Sequence, residues 1–173
     1  MTFYWIQNHY ISILVFGLVS FVLLSILERV TGKRWLWVVC AVLVSIVYVL
    51  ALYTVTLKER IPDGNYHYNL TLFWSYREII KNHDTFLLQE NIQNVAVFIP
   101  LGVLLCESFK YWIKWYQAML TGAAISLVIE LTQLLTTMGL FEFDDIFHNT
   151  LGTMLGFFFA RAVQKVLGVT CAD

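Results

Sequence analysis

Glu142, Asp144 and Asp145, with His148 and Asn149 close behind, fall within one short stretch, Phe141-Glu142-Phe143-Asp144-Asp145-Ile146-Phe147-His148-Asn149-Thr150-Leu151-Gly152. Carboxylates and an imidazole at this spacing can accept hydrogen bonds, move protons or hold a divalent ion: Mg²⁺, Ca²⁺ or, less well, Zn²⁺. The stretch runs straight into apolar residues. Acid at the mouth of a hydrocarbon-facing helix is costly unless it is paired, solvated or bound to something.

Two further constellations carry polar groups into apolar surroundings. Asn91 and Asn94 stand one turn apart, ahead of Phe98-Ile99-Pro100-Leu101-Gly102. Pro100 has no N–H, so a helix through it leaves the Ala96 carbonyl without its usual donor and either kinks or exposes a peptide group. Glu130 and Gln133 form the other pair. At about 100° per residue they share a face with Gly122, Ser126 and Thr137, a small and polar stripe turned toward neighbouring helices. An isolated carboxylate there costs about 2.5–3.5 kcal/mol on insertion scales. Glu130 is therefore expected to be protonated, paired or in a wet cavity.

The elements that position these groups follow from composition. Of 173 residues, 59% are apolar and 13% charged, and the mean hydropathy is +0.70. A water-facing surface does not normally tolerate that balance, and a hydrocarbon solvent explains it more simply. Hydropathy predicts about five spans, Tyr10–Leu27, Trp35–Leu57, Asn91–Cys106, Trp115–Leu135 and Asn149–Leu167, each near the ~20 residues that cross a bilayer. The third carries Asn91, Asn94 and Pro100 and the fifth carries Arg161, so four spans plus a re-entrant segment is the alternative. The runs lack period-2 alternation, which predicts α-helices rather than a barrel. The expected fold is all-α: a polytopic membrane helical bundle forming a single domain over residues 1–173, without repeats or linkers.

The eleven Lys and Arg residues orient the bundle. Arg29, Lys33 and Arg34 share one short turn, Lys110 and Lys114 another, and Arg161 and Lys165 lie near the C-terminus. Short basic turns stay in the cytoplasm. This predicts the N-terminus outside and the C-terminus inside, with Lys58, Arg60, Arg77 and Lys81 in a long external loop. The residues before the first apolar run lack the basic region of a cleaved signal peptide, so that span is expected to be retained. Cys40, Cys106 and Cys171 are not spaced for an external bridge and are expected to be free thiols.

The long loop Lys58–Glu90 contains the turn signal Pro62-Asp63-Gly64-Asn65. Beyond it Tyr76, Ile79, Ile80, His83, Phe86 and Leu87 recur at helical spacing, and Arg77, Glu78, Lys81 and Asp84 fall largely elsewhere. That pattern predicts an amphipathic loop helix, lying along the membrane interface or capping the bundle. Gly152 and Gly156, extended by Ala160, form a small stripe that admits another helix closely, within one chain or between two. The chain has no Gly-rich phosphate loop, nucleophile elbow or His-Glu-x-x-His helix. A net charge of −1 without a basic patch excludes nucleic acid as a natural partner.

Taken in order, Asn69-Leu70 with Phe73, Asn91-x-x-Asn94-x-x-x-Phe98-x-Pro100-Leu101-Gly102, Glu130-x-x-Gln133, and Phe141-Glu142-x-Asp144-Asp145-x-x-x-Asn149-Thr150-Leu151-Gly152-x-x-x-Gly156 resemble the VanZ-like family. The resemblance covers about residues 69–156. The family usually has Pro where Leu72 stands, Gly where Gln93 stands, an Arg near Gly139-Leu140, and often Asp at Glu142. VanZ-like proteins are small integral membrane proteins of bacteria, and the namesake is associated with resistance to teicoplanin and related lipoglycopeptides. The resemblance implies a role in the bacterial cell envelope, at the cytoplasmic membrane.

The leading expectation is a non-catalytic protein that binds a lipoglycopeptide or lipid-linked cell-wall precursor at the outer leaflet, in a cleft between spans three, four and five. Asn91, Asn94, Glu130, Gln133, Asp144, Asp145 and Asn149 are its expected polar lining. A second reading is an enzyme acting on an envelope lipid, with a divalent cation held by Asp144, Asp145 and His148 and with His148 or Glu130 as acid/base. A third is a proton-coupled transporter in which Glu130 titrates and Pro100 marks a broken helix.

Overall fold

The computed structural model describes residues 2–32, 34–57, 61–109 and 112–166. Lys33, Lys58, Arg60, Lys110 and Cys171 lie outside the described residues. The elements run α1 (Thr2–Thr31), α2 (Arg34–Leu57), β1 (His67–Asn69), α3 (Trp74–Asn82), α4 (Thr85–Ser108), α5 (Trp115–Leu135), β2 (Leu140–Glu142) and α6 (Phe143–Val166). The fold is an all-α membrane bundle, as the composition predicts. Trp35–Leu57, Thr85–Ser108 and Trp115–Leu135 are the three described helices long and apolar enough to cross a bilayer. Ile11–Leu27 of α1 is apolar but shorter, and α6 opens on a turn holding Asp144 and Asp145. Length and composition thus support three spans directly, against about five from hydropathy.

Local chemistry sets the helix ends. Gly32 takes the left-handed conformation (φ 59°) that closes α1. Asp84 caps α4, its carboxylate accepting from the backbone N–H groups of Phe86 and Leu87 at 2.9 and 3.1 Å. That cap separates α3 from α4, so the amphipathic pattern read from Tyr76 to Leu87 as one helix is two: His83 (φ 52°) ends α3, and Phe86 and Leu87 belong to α4. At the end of α5, the Met138 N–H reaches the Gln133 carbonyl and the Thr137 N–H the Leu134 carbonyl. This is a Schellman closure with Thr137 (φ 55°) where glycine is usual.

α4 and α6 form the centre. α5 flanks α6, while α1 and α2 pack together on the other side of α4. The central contact is backbone on backbone: a Cβ added to Gly156 would overlap the Ile99 carbonyl, and one on Gly152 the Val95 carbonyl. The small stripe therefore packs within the chain, against α4. Tight approach of this kind replaces the hydrophobic drive that helices lack among lipid tails. Outward faces are apolar, as Leu43, Ile46, Val47 and Leu50 on α2 and Leu120, Val128 and Leu135 on α5 show. Pro100 does not break α4, which runs through it; the Tyr48 hydroxyl donates to the neighbouring Val97 carbonyl at 2.6 Å. Cys40 and Cys106 are free thiols.

β1 and β2 pair in parallel, with Tyr68 opposite Phe141 and Asn69 opposite Glu142. Hydropathy predicts no strand here, because three residues carry no readable period and the partner is distant in sequence. The pairing fastens the long loop beside the acidic segment.

Candidate functional site

The acidic segment enters α6, whose first two turns are the hub of the site. Asp144 is 1% exposed, yet its carboxylate is fully engaged. One oxygen accepts from the Phe73 backbone N–H; the other accepts from the Ser75 N–H at 3.0 Å and the Ser75 hydroxyl at 2.6 Å. α3 has no capping side chain of its own, and its N-cap residue Phe73 is left-handed (φ 60°). Asp144 therefore caps α3 from another helix, satisfying amides that a local Ser or Asp would normally serve. Asn91 completes the arrangement, its amide donating to the Ser75 hydroxyl at 3.0 Å.

Beside this cap the Tyr76 hydroxyl and His148 Nε2 are hydrogen bonded at 2.8 Å, and the Phe73 ring meets Phe147 edge-on. Desolvation, aided by the Asp144 charge, raises the Tyr76 phenol above its ordinary value. Tyr76 is thus a neutral hydroxyl at physiological pH.

The remaining predicted residues join α6 to its other neighbours. Asn94 on α4 donates to Asp145 at 2.7 Å. Asn149 donates to Ser126 on α5 at 2.8 Å. Glu130, one turn beyond Ser126, accepts the backbone N–H of Glu142 in β2 at 3.0 Å. Gln133 lies a turn further along the same buried stripe. Among the described residues Gln133 Oε1, His148 Nδ1 and Asn149 Oδ1 along this seam, and Trp74 Nε1 at the start of α3, are deeply buried without a hydrogen-bond partner. Such atoms are exceptional in native interiors and call for an explanation.

All seven residues of the expected lining sit on α4, α5 and the opening of α6. They divide into a cap around Asp144 with Asn91, a pair Asn94–Asp145, and a stripe of Glu130, Gln133 and Asn149 linked to α6 and β2. Of the expected cation ligands, Asp144 and His148 engage α3, through Ser75 and Tyr76, and Asp145 engages α4 through Asn94. Among the described residues no group of three His, Cys, Asp or Glu is arranged to hold a metal ion. On the outer side of the α5–α6 seam an open apolar groove of about 690 Å³ is lined by Leu72, Leu120, Leu127, Phe143, Phe147 and Thr150, among others.

Ser75 is absent from the sequence reading, since a lone serine ahead of an amphipathic pattern carries no signal without its partner Asp144. A second polar cluster at the far end of the bundle was legible but unread. Gln164 donates to Glu107 at 2.8 Å and accepts from Cys106, and Gln164 continues the i, i+4 series of Gly152, Gly156 and Ala160. Ser45 and Ser108 pair nearby at 3.0 Å.

The VanZ/LLP1 family model matches residues 35–164. Protein VanZ of Enterococcus faecium is 32% identical over 111 residues, which are 62% of this chain and 68% of that protein. No solved structure matches.

Proposed function

This chain belongs to the VanZ/LLP1 family, and we propose that it is a cell-envelope membrane protein that binds a lipoglycopeptide or lipid-linked cell-wall precursor at the outer leaflet without chemical turnover. Membership suggests a protein associated with teicoplanin resistance; the ligand and the absence of catalysis are our own reading. One observation carries it. Polar side chains from α3, α4, α5 and α6 converge on the first turns of α6, three buried atoms there lack partners, and an apolar groove runs alongside.

That juxtaposition suits an amphiphile. Its hydrocarbon would lie against Leu120, Leu127, Phe143 and Phe147, and its polar head would supply donors to Gln133 and Asn149 and a partner to His148 Nδ1. Asp145 and Asn94, both half-buried, are the members of the lining that such a head meets first.

The test uses detergent-solubilised full chain and teicoplanin as the probe. Ligand at about 100 times its Kd stabilises the native state by about 2.7 kcal/mol, a rise of several degrees in Tm. Asp145→Ala, Asn94→Ala and Gln133→Ala should each weaken that stabilisation and lower teicoplanin tolerance in an expressing strain. Unchanged protection and tolerance in all three variants would refute the reading.

A further inference from the structure

α3 presents two kinds of side chain to its surroundings. Ser75 is its one buried residue and faces the bundle. At about 100° per residue, Tyr76 and Ile80 share the neighbouring flank, and they are 39% and 77% exposed. Arg77 and Lys81 form the next flank, also exposed. Leu70, Leu72 and Phe73 extend the uncovered apolar surface at the helix entrance.

The acids nearby are otherwise engaged: Asn82 donates to Glu78, and Asp84 caps α4. Among the described residues neither Arg77 nor Lys81 is ion-paired. α3 ends at Asn82, and Thr85–Ser108, a helix long and apolar enough to cross a bilayer, begins three residues later. The helix therefore lies at the level where hydrocarbon gives way to headgroups. A large side chain such as Ile80 in water there is unfavourable, whereas an interfacial helix buries such residues at the acyl boundary and directs its cations to phosphate.

We propose that α3 docks on anionic lipid headgroups at the membrane boundary, with Arg77 and Lys81 on the phosphates and Ile80 in the acyl-chain margin. Of this surface Leu72 alone also lines the α5–α6 groove, and the proposal does not depend on the ligand-binding reading. Lipid, not a free phosphate or a second protein, is the occupant, because apolar and basic flanks lie side by side on a helix adjoining a span.

The full chain is reconstituted into vesicles of phosphatidylethanolamine and phosphatidylglycerol, with a benzophenone amino acid in place of Ile80, and irradiated; adducts are identified by mass spectrometry. The expected product is a lipid adduct in which phosphatidylglycerol exceeds its bulk share by about fivefold per cation at low salt, falling as salt is added. Arg77→Gln with Lys81→Gln should return the adducts to the bulk ratio. The same photoreactive residue at Leu43, on the outward apolar face of α2, reports correct insertion. Adducts to a second copy of the chain, no lipid adduct at position 80 with normal labelling at 43, or phosphatidylglycerol at its bulk share would each overturn the proposal.

Discussion

Replacing Asp144 with alanine should release α3 while leaving the rest of the bundle folded. α3 buries Ser75 alone, so apolar packing holds it weakly and the Asp144 carboxylate is its main attachment. The substitution removes the acceptor for the Phe73 N–H, the Ser75 N–H and the Ser75 hydroxyl. Hydrogen bonds to a carboxylate contribute about 1.5–3 kcal/mol each, but these three share one side chain and are not additive. Loss of a helix cap costs about 1 kcal/mol, and stranding a buried amide adds about 1–3 kcal/mol. A net loss of about 3 kcal/mol in α3 docking follows, equivalent to roughly a hundredfold rise in amide exchange over Arg77–Asn82. Asp144→Asn keeps one carbonyl oxygen for the Ser75 donors and should fall between wild type and alanine. The assay is hydrogen exchange by mass spectrometry on the reconstituted chain, comparing peptides from α3 with peptides from α4 and α6. Unchanged exchange in α3, or an equal loss of protection across α4 and α6, would show that Asp144 is not a cap reaching across from α6.

Three other outcomes follow from local geometry. Gly156→Ala drives a Cβ into the Ile99 carbonyl and should destabilise the detergent-solubilised protein by about 1–3 kcal/mol, read as a lower Tm. Thr137→Asn should raise Tm by about 1 kcal/mol equivalent, because asparagine tolerates φ near 55° better than a β-branched residue and keeps an acceptor for the Gly64 N–H. The Asp63 carboxyl lies below the usual carboxylate range, first through the Asn65 N–H and then through His67. Its turn contact is therefore complete above the ordinary carboxylate value and is lost as pH falls through the depressed one, which the Asp63 carboxyl shift in a pH titration by NMR would report.

Composition was enough to read the solvent of this protein, and the small stripe Gly152, Gly156 and Ala160 was enough to read a close helix contact, because both are properties of residue type at fixed spacing. The division of α3 from α4 was harder to see. Tyr76 through Leu87 keep helical periodicity across a break that depends on the left-handed backbone of His83 and the cap of Asp84, and an Asp followed by apolar residues looks the same inside a helix as at its start. The role of Asp144 was unreadable for a different reason: its partners Phe73 and Ser75 lie some seventy residues away, and nothing local announces a cap supplied from another helix. The β1–β2 pairing failed to show for the same cause. The polar residues themselves were all visible, since Asn, Glu and Asp in apolar runs stand out by cost alone.

The structure separates those polar residues by what a ligand would have to displace. α6 is fixed to α4 by glycine contacts that leave no room for adjustment, so the α6 side of the site is a rigid reference. From it Asp144 reaches α3, Asp145 reaches α4 and Asn149 reaches α5. A ligand competing for Asp144 must take the place of three donors and detach a helix, which costs about as much as the substitution above. A ligand that donates to Gln133 Oε1 or Asn149 Oδ1, or pairs with His148 Nδ1, displaces no protein partner from those atoms. On the proposed ligand-binding reading, free energy favours recognition at the α5–α6 seam and at Asp145, with Asp144 and Asn91 holding the shape around it. Asp144→Ala should consequently change ligand affinity less than Gln133→Ala does, even though it loosens α3 far more.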